Sequence, residues 1–411
     1  MKRFLSFSLV LGAVLAGVPG IIAAELPATG QTGPPCADDN GNTNGDADTD
    51  LSDAVYLLTF LFQGGPAPVP FCTPPGSKPD DSCSDDNGNT NGDADTDLSD
   101  AVYLLTFLFQ GGPAPVPICQ AVADPLCGVK VVGYYPHYGR HRMPVADIQY
   151  QHLTDVIFSF LRVAADGTLT ADHPATLQQL VDVAHAKGVR VQASVVGEFL
   201  EMVDDGDGSR ARFLSELKAM AISYDLDGID FDWEGSAFSA AARTLYAELV
   251  AAAAAELTPL GMSLSVATVT WRNELPASAL SHLTSMNCMG YDAGPPDHSS
   301  LQDGVDVVQH WVNVGASPDT LLMGTAFYAR KADWSAITWA DLVASYAPAP
   351  EVDAVGGWGF PGVNTTAAKV KYVMDGGFRG IMIWELSQDT LDETSLLATI
   401  GKTIRDHCSR E

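Results

Sequence analysis

Eight short apolar runs, separated by stretches of helix length, fill the sequence after residue 128 and leave it few ways to fold. They span residues 131–134, 155–160, 189–194, 228–233, 263–269, 285–289, 321–326 and 380–384. Between them, residues 174–187, 209–224, 237–257, 305–314 and 365–375 read as helices. Strands buried on both faces appear as continuous apolar runs, and parallel pairing requires a crossover that a helix usually supplies. The alternation therefore predicts an α/β fold, a parallel (β/α)8 TIM barrel over residues 128–411. A doubly wound open sheet is the competing layout, but no glycine-rich phosphate loop opens the first helix. In a barrel the chemistry sits on the face where the strands end.

The N-terminal part has a different character. Lys2 and Arg3 precede an apolar run over residues 4–18, then Pro19-Gly20 and the small pair Ala23-Ala24. That order reads as a secretory signal over residues 1–24, cleaved after Ala24, with secretion as the expected location. An uncleaved anchor is the alternative, and Pro19-Gly20 interrupts its span. No Cys precedes Cys36 to carry a lipid. Export permits disulfides.

Residues 38–70 recur unchanged as residues 85–117, and the flanking cysteines repeat as well. The two units run over 36–72 and 83–119, making a duplicated module over 36–119. Cys36–Cys72 and Cys83–Cys119 are the simplest pairings, with other connectivities left open. In the first unit, oxygen-bearing side chains fall at positions one, three, five, seven, nine and twelve of a twelve-residue loop: Asn42, Asn44, Asp46, Asp48, Asp50 and Asp53. Asn89, Asn91, Asp93, Asp95, Asp97 and Asp100 repeat them. This is the spacing with which an EF-hand loop surrounds Ca2+, and a structural Ca2+ in each loop is expected. A short apolar helix follows over residues 54–62, ended by Gly64-Gly65-Pro66. Two such helices would have to pack on each other, with ions replacing much of a core.

Charge separates the same two regions. The formal net charge is −29, and residues 25–127 hold 16 acids against one base, Lys78. Acid at that density suggests a cation site, and it disfavours nucleic acid and anionic membrane as partners. The nine histidines show no ligand spacing, and no catalytic cofactor is expected.

The chemistry concentrates in the fourth apolar run, Asp227-Gly228-Ile229-Asp230-Phe231-Asp232-Trp233-Glu234. Asp230, Asp232 and Glu234 are two apart, so a strand directs all three to one face. Three carboxyls lining a barrel interior cannot all ionise, and a carboxyl that keeps its proton near neutrality suits glycosidic bond cleavage. A solvated acidic strand is the bland alternative, and the apolar start of the run argues against an edge strand. Asp227 reads as structural.

These residues resemble glycoside hydrolase family 18, the chitinase family. The DGIDFDWE string carries the resemblance, supported by Gly133-Tyr134-Tyr135, Phe158-Ser159-Phe160, Met289-Gly290-Tyr291-Asp292, Phe327-Tyr328-Ala329-Arg330 and Met382-Ile383-Trp384-Glu385 in order along the chain. Third-strand Ser194-Val195-Val196-Gly197 lacks one of the family's glycines, and Gly235-Ser236 replace its usual Tyr-Pro. The resemblance implies a retaining, substrate-assisted hydrolysis of β-1,4-linked N-acetylglucosamine, chiefly chitin, in which the substrate's own N-acetyl oxygen is the nucleophile. It implies Glu234 as general acid and base, and Asp232 as the group orienting the N-acetyl. Asp230 would share a proton with Asp232, and Tyr291 would donate to the acetamido oxygen. Tyr134, Met289, Asp292, Trp384 and Arg330 would bind substrate, with Trp384 as the floor under the sugar. Only about fifty residues follow Arg330 before the eighth run, too few for the extra α+β lobe of many relatives, so a shallow groove is expected. Trp271, Trp334, Trp339 and Trp358 are sugar platforms or packing residues. An endo-β-N-acetylglucosaminidase acting on glycoprotein glycans, and a lectin that has lost catalysis, are the alternative functions.

The duplicated module resembles the dockerin-type repeat, an α-helical relative of the EF-hand. That resemblance implies a cohesin-like or cell-surface partner. Ala47 and Ala94 stand where a sharp-turn glycine is usual, and Asn42 and Asn89 where Asp is usual. Cys127 and Cys408 bracket the barrel, whose ends meet in space, and a closing disulfide fits that arrangement. Cys288 reads as a buried, inert thiol.

Overall fold

The structure, a computed structural model, describes residues 40–46, 48–70, 87–93, 95–116, 126–197, 199–204, 208–233, 240–269 and 275–409. The signal segment, Cys36, Cys72, Cys83, Cys119, Ala47, Ala94, Glu234 and Trp271 lie outside the described residues. The chain divides into two compact units, residues 1–123 and 124–411.

In the first unit, helices α1 (Leu51–Gln63) and α2 (Leu98–Gln110) begin three residues before the apolar runs that mark them. The cause is a capping box. Asp50 accepts from Ser52 N, and the Asp53 carboxylate reaches back to Asp50 N at 2.8 Å, so two loop acids also start the helix. Asp97 and Asp100 do the same for α2. Gly64 and Gly111 end the helices in the left-handed region. Ala54, Leu57, Leu58, Ala101 and Leu104 are buried where the helices pack, and the repeats are also laced together by side-chain amides. Asn40 Nδ2 donates to Asn89 O at 2.7 Å and to Val116 O at 3.0 Å, and Asn87 Nδ2 donates to Asn42 O at 2.7 Å and to Val69 O at 2.8 Å. Each of these two asparagines also accepts from the glycine following the other. The duplication thus folds into a pair with reciprocal contacts, as two identical sequences facing each other must.

In the second unit all eight apolar runs form strands of one parallel barrel. They are β1 (Lys130–Pro136), β2 (Asp155–Val163), β4 (Arg190–Gly197), β5 (Gly228–Phe231), β6 (Ser263–Thr268), β7 (Ser285–Cys288), β8 (Leu321–Ala326) and β13 (Gly380–Trp384). Each pairs with its neighbour, and β1 closes the ring by pairing with both β2 and β13. Strand β3 (Leu169–Ala171) turns back antiparallel on β2. Around the barrel run α3 (Pro174–His185), α4 (Phe199–Asp204), α5 (Ser209–Ser223), α6 (Ala240–Leu257), α7 (Ala277–Leu280) and α8 (Leu301–Val314). After α9 (Trp339–Tyr346) come α10 (Val363–Asp375) and α11 (Leu396–Cys408). Alternation along β1 shows the two faces: Val131 and Tyr135 join the large cluster under the helices, and Val132 and Tyr134 join a smaller one with Tyr291 and Met382 inside the barrel.

One expectation is corrected. Between β8 and α10 stands a four-stranded antiparallel sheet, β9 (Tyr328–Arg330), β10 (Ala336–Thr338), β11 (Ala354–Val355) and β12 (Trp358–Gly359), with α9 inserted between β10 and β11. The segment is too short for a large lobe, and it folds a small one from strands of two or three residues. Cys127 and Cys408 form a disulfide, joining the entrance of the barrel to its last helix. Cys288 is a free, fully buried thiol. Among the described residues, no helix is long and apolar enough to cross a membrane.

Candidate active site

Strand β5 carries Asp230 into the barrel centre, and four other strands, β1, β4, β6 and β7, supply a donor each. Tyr134 Oη and Ser194 Oγ donate to Asp230 Oδ2 at 2.8 Å apiece. Ser265 Oγ and Asn287 Nδ2 donate to Oδ1 at 2.7 and 2.9 Å. Asn287 also donates to the Tyr134 oxygen at 3.0 Å, closing the network. Asp230 is completely buried. Burial raises its pKa, and the bonds from Ser265, Tyr134, Ser194 and Asn287 work against that rise by favouring the ionised form. Tyr134 is pushed up by burial and then by the charges of Asp230 and Asp232, so its hydroxyl keeps its proton and acts as a donor.

Two residues further on, Asp232 leaves the strand and lines a cavity of about 550 Å³ at the mouth of the barrel. Asp232 N donates to Val195 O at 3.0 Å, which extends the strand's path by one bond. Tyr134, Met289, Tyr291, Asp292, Arg330 and Trp384 line the same cavity. Every described residue expected to act on or bind substrate therefore lines this cavity, apart from Asp230, which is buried in the barrel. Trp384 ends β13, with its ring centroid 5.5 Å from Tyr134 and 6.0 Å from Phe160. The cavity thus combines an indole face with carboxyls, a pairing suited to a sugar ring with polar edges and apolar faces.

Asp292 and Arg330, both on the cavity wall, are also paired with each other. Arg330 Nε and Nη2 grip the two Asp292 oxygens at 2.9 and 2.7 Å, and His298 Nδ1 stands 3.2 Å from Oδ1. Burial would raise the Asp292 pKa, but hydrogen bonds from His298 and Arg330 and the charge of Arg330 outweigh it and hold the carboxyl well below its usual range. Arg330 Nη1 also donates to Trp334 O at 3.0 Å. Its guanidinium is held by Asp292 and by the Trp334 carbonyl, which fixes it in the cavity wall.

Of the candidate tryptophan platforms, Trp339 is buried and donates to Thr394 O, and Trp358 is buried against the core. Trp334 is half exposed. Asp227 accepts from Val191 N at 2.7 Å and faces His185 Nε2 at 2.9 Å, a structural role as expected. Sequence reading missed Ser265, Asn287 and His298. The first two lie in runs expected to be strands, and the structure aims both side chains at Asp230.

The family model described as "Glycosyl hydrolases family 18" matches residues 130–389. Among solved structures, a chitinase from Bacteroides thetaiotaomicron is similar with a TM-score of 0.62 and 23% identity over 67% of this chain and 96% of that one. A family 18 chitinase from the chitin utilization locus of Flavobacterium johnsoniae has a TM-score of 0.62 and 23% identity over 68% and 94%. A plant class V chitinase mutant from Cycas revoluta, in complex with (GlcNAc)3, has a TM-score of 0.60 and 18% identity over 67% and 99%. No curated protein matches the chain by sequence. Those likenesses show the shared barrel, and the match over most of the second unit shows the family: the chain belongs to glycosyl hydrolases family 18.

Proposed function

We propose that this protein is a secreted chitinase that cleaves β-1,4-linked N-acetylglucosamine with retention, using the substrate's N-acetyl oxygen as nucleophile. The observation that carries the reading is the buried Asp230, held by four donors directly below Asp232 at the cavity mouth. An acid fixed in this way keeps its charge and its proton affinity under close control. It can give a proton to, or take one from, a neighbouring carboxyl as charge develops above it. In this reading Asp232 orients the N-acetyl group and stabilises the cation formed from it. Glu234, two residues further along, protonates the leaving oxygen and then activates water. Tyr291 steadies the acetamido oxygen, and Trp384 supports the sugar ring. Retention follows because the anomeric carbon is attacked twice, first by the N-acetyl oxygen and then by water.

The direct test is product analysis on colloidal chitin and chito-oligosaccharides for wild type and Glu234→Gln. The variant is expected to lose about 10²- to 10⁴-fold in kcat while still binding oligosaccharide. Hydrolysis at the wild-type rate would sink the mechanism. Turnover of glycoprotein N-glycans in place of chito-oligosaccharides would favour the endo-β-N-acetylglucosaminidase reading.

The repeats are proposed to hold structural Ca2+. Burial, with the charges of Asp46 and Asp50 adding to it, pushes the Asp53 carboxyl up to about 6 even though two backbone N–H groups favour its ionised form. Crowded carboxylates of this kind fit a divalent cation, which would remove their mutual repulsion. Asn42, Asn44, Asp46, Asp48, Asp50 and Asp53 would hold one ion, and Asn89, Asn91, Asp93, Asp95, Asp97 and Asp100 the other. Among the described residues the acidic side chains do not converge as a ready-made cluster of three. The loops are closed by their own bonds, such as Asn44 Nδ2 to Asp46 Oδ2 at 2.9 Å. A cohesin-like or cell-surface partner is the proposed ligand of the module as a whole.

A further inference from the structure

Helix α10 buries Thr366, Lys369, Val370 and Val373, the face expected to be apolar throughout. Lys369 is fully buried on that face. An apolar side chain of similar length would pack there without desolvating a charge, so the amine needs a reason. Burial lowers its pKa to about 7, against the opposing influence of Asp303, Asp297 and Asp353.

Its contacts supply the reason. Lys369 Nζ donates to Ser299 Oγ at 2.9 Å, to Gly324 O at 3.2 Å and to Gly290 O at 3.4 Å. Ser299 Oγ in turn donates to Gly290 O at 3.3 Å. Gly290 and Ser299 are the two ends of a loop, so one amine clasps both ends to strand β8. Inside the loop, Tyr291 and Asp292 line the cavity, Asp292 in the left-handed region at φ +55. His298, beside Ser299, stands against Asp292 and bridges to Tyr328 O at 3.2 Å. Glycines keep the neck narrow. A Cβ on Gly324 would lie 2.3 Å from Cys288 O, and one on Gly290 would lie 2.9 Å from Gly304 Cα. Only backbone fits there, and backbone carbonyls buried in a tight neck require a donor from elsewhere.

We propose that Lys369 is a positioning residue that closes the neck of the 290–299 loop and so fixes Tyr291 and Asp292 against the substrate. The catalytic consequence rests on the chitinase reading above; the structural clasp does not. The test compares full-length wild type, Lys369→Met and Ser299→Ala by steady-state hydrolysis of chito-oligosaccharides and by amide hydrogen exchange. Lys369→Met is expected to lose at least about tenfold in kcat/KM per folded molecule, since small misplacement of positioning groups is costly. Amides of residues 290–299 should exchange faster while those of the opposite barrel strands stay unchanged. Ser299→Ala, which buries no new group, should show the same loop-specific exchange with a loss of about threefold, and it carries the test if Lys369→Met does not fold. A lower melting temperature with unchanged kcat/KM and no loop-specific exchange in either variant would overturn the proposal. If wild type hydrolyses no chito-oligosaccharide, the function reading fails and the exchange measurement alone decides the clasp.

Discussion

The barrel and the repeat pair solve the same problem with opposite means. The barrel buries a continuous apolar core between sheet and helices and surrounds the carboxyl at its centre with partners, Asp230 with its four donors. The repeat pair buries few apolar side chains, chiefly Ala54, Leu57, Leu58, Ala101 and Leu104. Backbone caps, reciprocal asparagine bonds and, as proposed, bound cations do the remaining work. One region spends polar groups sparingly to build a site. The other uses them as its main adhesive, so the two should respond to different perturbations.

The largest effect is expected at Asp230. Asp230→Ala leaves two serine hydroxyls, a tyrosine hydroxyl and an amide facing a void. Activity should fall at least about 10²-fold, and barrel stability by at least about 2 kcal/mol. Calorimetry should show the barrel transition lowered and the repeat transition unmoved; coupled loss of both would break the contrast. Removing Ca2+ should do the reverse. With EDTA the repeat transition is expected to fall, by an amount equivalent to about 2.7 kcal/mol relative to calcium at a hundred times its Kd, with the barrel unaffected. An unchanged repeat transition would reject the calcium assignment. The smallest effect tests the symmetry of the pair. Asn40→Ala and Asn87→Ala remove matching sets of bonds and should each cost the repeat unit about 1–2 kcal/mol. Clearly unequal costs would show that the identical sequences do not make equivalent contributions.

The same contrast explains what was legible. All eight barrel strands could be placed because strands covered on both faces leave an apolar signature in a row. Strands β9–β12 could not, since two or three residues carry no period, and their pairing depends on the fold that presents them. Asp230 and Asp232 stood out by spacing, yet the donors around Asp230 lie 96, 36, 35 and 57 residues away. Only closure of the ring brings Tyr134, Ser194, Ser265 and Asn287 together. Arg330 shows the limit of motif reading: its place in the cavity was anticipated, but its engagement with Asp292 depends on a partner 38 residues distant. Lys369 was invisible for another reason. A single lysine in a helix normally reads as a solvated position, and nothing local marks it as turned inward.

The bond between Cys127 and Cys408 gives the second unit a further property. With that link in place the 281-residue separation becomes a covalent ring, and the barrel's pairing of β1 with β13 already closes the sheet in the same sense. One proteolytic cut in any loop of the ring leaves two chains still joined by the disulfide, with no fragment released. In a milieu rich in proteases, a first nick would therefore cost the enzyme its continuity at one point and none of its mass, and a second cut would be needed before any piece could leave.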